Sequence, residues 1–260
     1  MIANDRELTA VIYNLKDAHR RLGVPLPPKV LKGLDTVAAT RSANMTAPTQ
    51  DGLRAAVMNA VDAGRPLADD EAVRLAMTNR SLAAAGVDRF VASGLHERRQ
   101  NVLRDGFPEL MKVWAGIVDK AGQAITDARE AIPQFDFDRT DPTTLSASQA
   151  FHWAGARKAT LDVEAVESVW LSLANALGLA YVARATRPLV LSVLTVDEIR
   201  ALKGTNAVGV IKAGHPLQLA DLDEFERRVA AFHAEQRQRE AQARTFVDPQ
   251  NFRGKRVVPA

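Results

Sequence analysis

The chain has 260 residues, 34 of them basic and 31 acidic, a net charge of +3 and no cysteine. That length supports one large domain or two small ones, each with a core of its own. The missing thiols exclude disulfides, thiolate catalysis and cysteine-ligated zinc, and a charge so close to balance gives no strong footprint for nucleic acid.

Apolar residues make up 47% of the sequence and aromatic ones only 5%, so alanine and leucine carry much of the hydrophobic content. Those residues favour helices, whereas strands lean on β-branched and aromatic side chains. The expected fold class is therefore all-α. It comprises a multi-helix bundle over residues 1–133, a hinge or loop over 134–143, and a C-terminal helical region over 144–244 with one short extended segment. An extended basic arm over 245–260 completes it.

A helix is predicted from Asp5 to Leu22, with Leu8, Val11, Ile12, Leu15 and Leu22 on one face and Gly23 as its stop. Pro28 opens a second, with Val30, Leu31, Leu34 and Val37 inward. A loop is predicted over residues 42–48. A third helix turns Leu53, Ala56, Val57, Ala60 and Val61 inward and ends at Gly64. Asp69-Asp70-Glu71 starts a fourth, which ends at Gly86, where acids suit the positive end of a helix dipole. Further helices are expected over 88–104 and 109–132, separated by Gly106-Phe107-Pro108. Turn chemistry then dominates residues 134–142.

Helices follow over 144–158 and 161–184, the second capped by Thr160. Each of two Trp-Ala-Gly tripeptides, at 114–116 and 153–155, reads as a core tryptophan beside a glycine that lets another helix approach. Leu189 to Leu194 is a continuous apolar run, either a short strand or a buried extended segment. A short helix is expected from Thr195 to Leu202, and a hairpin or loop over 205–219. A last helix spans 220–244 and ends polar on every side, a pattern expected of a helix that meets solvent or a partner.

No segment reads as a secretory leader, because Asn4-Asp5-Arg6-Glu7 interrupts any apolar run. The longest apolar stretch, 169–183, is short of the roughly 20 residues that span a bilayer. No membrane partner is expected, and the location is expected to be cytoplasmic, or a virion if the chain is phage-encoded.

None of the five histidines stands at i+3 or i+4 from another, so no helical metal site forms from them. The acids at 136, 138 and 141 alternate as in a calcium loop but lack its turn glycine and terminal glutamate. No glycine-rich phosphate loop occurs. No catalytic, metal or cofactor-binding residue is assigned, and no cofactor is expected.

Leu194-Thr195-Val196-Asp197-Glu198, then Gly214, Pro216 and Asp221-Leu222-Asp223-Glu224-Phe225, resembles the winged helix-turn-helix of phage excisionases and MerR-like regulators. The resemblance covers about 35 of the 260 residues and implies a recognition helix over 207–212. That helix offers almost no side chains that read base edges.

The arm interleaves Phe246, Phe252, Arg253, Lys255 and Arg256, a mixture suited to lying in a neighbour's groove. With Arg237, Arg239 and Arg244 on the last helix, these are the expected partner contacts. The expected function is a non-enzymatic structural or assembly subunit docking other protein subunits, with a phage or prophage particle as one setting. The alternative is a DNA-binding regulator using residues 194–226.

Overall fold

The computed structural model describes residues 5–44 and 50–245. The fold is all-α: it is 75% helical, with no strand among the described residues. The helices are α1 (Asp5–Arg21), α2 (Pro28–Asn44), α3 (Gln50–Asp62), α4 (Glu71–Ala84), α5 (Val87–Ala131), α6 (Ala147–Ala176), α7 (Val196–Ala201), α8 (Ala207–Ala213) and α9 (Leu222–Thr245).

The chain gathers into two compact units. One holds Ala10–Val24 with the chain from Met111 onward, and the other holds Pro25–Leu110 with the start of α1. In the second unit, Val30, Leu34 and Val37 of α2 are buried, as are Leu103, Phe107 and Leu110 of α5. Leu31 is 41% exposed and Val61 of α3 is 54% exposed, so neither faces inward as expected. The loop expected from residue 42 begins later, since α2 continues through Asn44, and residues 45–49 lie outside the described ones. α3 packs on α4 as a hairpin, and Asp70 caps α4 by accepting from Val73 N at 3.1 Å.

Two expected breaks are absent. α5 runs unbroken for 45 residues with Pro108 inside it. Proline removes one i→i−4 hydrogen bond, at a cost of about 3 kcal/mol. The residues around it are anchored on one face, because Phe107, Leu110, Met111 and Trp114 are all buried. Burying several large side chains outweighs one lost bond. Likewise α6 is a single helix across the expected gap at Thr160, whose hydroxyl donates to Ala156 O at 2.9 Å within the helix instead of capping a new one. α6 also ends at Ala176, earlier than expected, where Gly178 takes φ +63°.

The first unit is built on two tryptophans. Trp114 is fully buried and its indole N–H donates to Nε2 of buried His19 at 3.1 Å. Trp170 donates to Ala220 O at 3.2 Å and meets Phe225 edge-on at 5.3 Å. Neither tripeptide glycine brings a helix close: Gly116 and Gly155 both face open space.

In the apolar run from Leu189, Leu189, Val190, Leu191 and Leu194 are buried and Val193 is 65% exposed, and the run is no strand. Arg187–Val190 forms a 3-10 turn, after which Leu191 O and Val190 O accept from Gln218 N at 2.7 Å and Ala220 N at 2.8 Å. Pro188, the second residue of the turn, favours this local winding over an extended ladder. The stretch expected as a hairpin or loop contains α8, capped by Asn206 and closed by Gly214 at φ +85°.

Candidate interaction surfaces

Of the expected contacts on α9, only Arg239 has a partner within the described residues, and other side chains of the helix hold it to its own chain. Phe225, Arg228 and Phe232 face inward and are buried. The Arg228 guanidinium donates to Leu189 O at 3.0 Å, Gln218 O at 3.1 Å and Glu224 Oε1 at 2.8 Å, pinning α9 to the 3-10 turn. Arg239 pairs with Asp197 of α7 and, at 2.6 Å, with Glu235. That bond to Asp197 holds the Asp197 carboxyl below the ordinary carboxylate range. Arg239 therefore ties α9 to α7 within this chain. Arg237 is exposed and makes no ion pair among the described residues, and Arg244 lies in the last turn of α9. Phe246, Phe252, Arg253, Lys255 and Arg256 fall outside the described residues.

Residues 194–214 do form two short helices joined by a turn. Thr195 and Glu198 make a reciprocal capping box at the start of α7. The would-be recognition helix α8 is committed elsewhere. It packs on α6, and Ala207, Gly209, Val210 and Ile211 are buried. Its first N–H, from Ala207, donates to Glu167 at 3.1 Å. A recognition helix needs its N-terminal side chains free to enter a major groove, and here that end faces the protein core.

Cavities of about 390 and 340 Å³ lie on either side of Arg129, near the end of α5. Arg129 donates to Ile211 O at 2.5 Å, placing a cation at the negative end of α8. Partial burial lowers its pKa. The acids once compared with a calcium loop are also occupied. Asp136 accepts from the backbone of Asp138 and Arg139, Asp138 takes Lys212 at 2.6 Å, and Asp141 caps a 3-10 turn. No group of three or more metal-ligating side chains gathers among the described residues. No helix among them is long and apolar enough to cross a membrane.

The feature missed in the sequence is on the α3–α4 hairpin. Of thirteen exposed large apolar side chains among the described residues, seven fall between Met58 and Phe90. Over the same stretch only Ala60, Asp70 and Val73 are buried among the described residues. Leu75 of α4 is 60% exposed and Met77 57%, while Phe90, at 77%, already lies at the start of α5. These helices are thus apolar well beyond the faces they give each other. Helical spacing did mark an inward face on α3, but it carries no information about apolar residues left over on the outside.

No family model matches the chain, and no curated protein and no solved structure is detectably similar to it.

Proposed function

We propose that this protein is a non-enzymatic structural subunit that assembles with copies of itself through the α3–α4 hairpin. The observation carrying this reading is the concentration of exposed large apolar side chains between Met58 and Phe90. Monomers rarely leave contiguous apolar patches of more than a few hundred Å² in water, and larger ones mark interaction sites. A helix apolar on several sides belongs inside a larger structure. The hairpin is also close to charge balance, with Arg54, Arg65, Arg74 and Arg80 against Asp51, Asp62, Asp69, Asp70 and Glu71. Copies can therefore approach without strong like-charge repulsion.

Light scattering after size exclusion tests the reading. The intact chain is expected to associate with rising concentration, and a Leu75→Ser, Leu82→Ser double variant to stay monomeric. Both positions are exposed, at 60% and 44%, so the variant keeps its fold. An intact chain that remains monomeric throughout overturns the reading.

A further inference from the structure

We infer that α4 of one copy docks into the groove between α1 and α6 of the next, so that the subunits join head to tail. This rests on the assembly reading above and adds the surface that receives the hairpin. The groove has a volume of about 640 Å³. Ala18 of α1 and Leu22 just beyond its end line it on one side; Leu161, Ala165 and Val169 of α6 line it on the other. These positions recur at i, i+4 and i+8, so each helix presents one face along the groove. Ala18 and Val169 are buried floor residues, and small side chains there leave holes for larger ones. Leu161 stands at the edge and is 65% exposed. A groove with an apolar floor between two helices is the usual receptor for an amphipathic helix.

α4 has the matching form. Ala72, Leu75, Asn79 and Leu82 follow each other at spacings of three, four and three residues, the stripe that packs as knobs into holes. Leu75 and Leu82 are its exposed knobs. The 14 residues of α4 extend about 21 Å at 1.5 Å per residue. The groove face of α6 from Lys158 to Val169 extends about 18 Å on the same rise. α3 has no such stripe, since its exposed Met58 and Val61 cover one turn.

Charge agrees with this pairing. Glu164 lines the groove and accepts no hydrogen bond among the described residues, whereas Asp17 and Asp162 are already paired with Arg21 and Lys158. On α4, Arg74 is exposed and its side chain has no ion pair among the described residues. The Glu164 carboxylate forms no ion pair among the described residues, although its charge reaches Arg187, so Arg74 and Glu164 suit each other across the interface. Because knob and groove are different surfaces, the contact is heterologous and builds rings or filaments.

A mixing experiment decides it. Leu161→Glu blocks the groove but leaves α4 intact; Leu75→Ser with Leu82→Ser blocks α4 but leaves the groove intact. Each full-length variant alone is expected to be monomeric with an unchanged helical circular-dichroism spectrum. Mixed in equal amounts, they are expected to give a 1:1 dimer and nothing larger, since one good knob and one good groove remain. If the intact chain assembles and the α4 variant does not, yet the mixture stays monomeric, the groove assignment is wrong and the assembly reading survives. If the intact chain is itself monomeric, both fail. As a check of register, Arg74→Glu is expected to weaken association at least tenfold and added Glu164→Arg to restore it; loss without restoration sinks the stated pairing.

Discussion

Arg187 grips the buried carboxylate of Glu167 with two donors, Nε to Oε1 at 2.9 Å and a terminal nitrogen to Oε2 at 2.8 Å. Ala207 N adds a third bond to Oε2 at 3.1 Å. One side chain of α6 therefore fixes both the 3-10 turn and the start of α8. The Glu167 hydrogen bond also raises the Arg187 pKa above its ordinary value. The arrangement explains why an acidic residue sits on an otherwise apolar face, between Val163, Val166 and Trp170.

Removing the arginine strands that charge. Arg187→Met is expected to cost about 2–3 kcal/mol, below the 3–5 kcal/mol typical of a fully buried pair, because water reaches the arginine. Its side chain is 37% exposed against 1% for Glu167. A further Glu167→Met change is expected to recover part of the loss, since two apolar side chains leave no lone charge. Urea unfolding of both variants measures this; a double variant no better than the single would show that the carboxylate is not the source of the cost.

Gly209 of α8 is required by sterics, because it packs against the backbone of the turn between α7 and α8. A Cβ built there would lie 1.9 Å from Gly204 O. Alanine normally stabilises a helix interior by about 1 kcal/mol over glycine, so helix propensity and sterics predict opposite signs. The contact is with backbone, which cannot swing aside, so Gly209→Ala is expected to lose about 2 kcal/mol or more. Gly106→Ala makes a useful contrast. Its Cβ would meet only the Val30 side chain, at 2.2 Å, and Val30→Ala is expected to relieve it.

Much of the helical skeleton was legible because capping and periodicity are local. Gly64 and Gly86 close α3 and α4 where expected, with φ of +64° and +76°, and Thr195 caps α7. What escaped was set by packing at a distance. Pro108 reads as a break until the burial of Phe107 and Leu110 around it is known. Gly209 reads as a weak helix position until Gly204 is seen against it. Arg239 looks like a free contact because Asp197, its partner, lies 42 residues away. The exposed hairpin is the same case reversed, since no local pattern says which apolar residues the fold leaves uncovered.

The α7 capping box makes stability depend on acid. The backbone N–H and hydroxyl of Thr195 hold the Glu198 carboxyl below its ordinary range, with a smaller effect from His215. Its folded pKa lies below the unfolded value of about 4.3. The resulting stability is present above that value and disappears as the pH falls through the lower folded one. Glu198→Gln is therefore expected to flatten the fall in urea midpoint between about pH 5 and 3. Parallel curves for the two proteins would assign the acid sensitivity to other carboxylates, Asp197 first among them.

Pro108 should be removable with profit. It is exposed on α5, and the neighbouring Phe107 and Leu110 supply the buried face. Proline there leaves the carbonyl four residues earlier, on Arg104, without its helical donor. Alanine restores the N–H, removes the ring clash and keeps the apolar contacts untouched. Pro108→Ala is therefore expected to stabilise the chain by about 1 to 3 kcal/mol, read as a higher urea midpoint at an unchanged slope. A loss of stability instead would mean that α5 needs the local distortion at Pro108 to bury Phe107 and Trp114 on one face. A Phe107→Ala background separates the two cases, because the gain from Pro108→Ala should then be larger than in the native chain only if such distortion serves that burial.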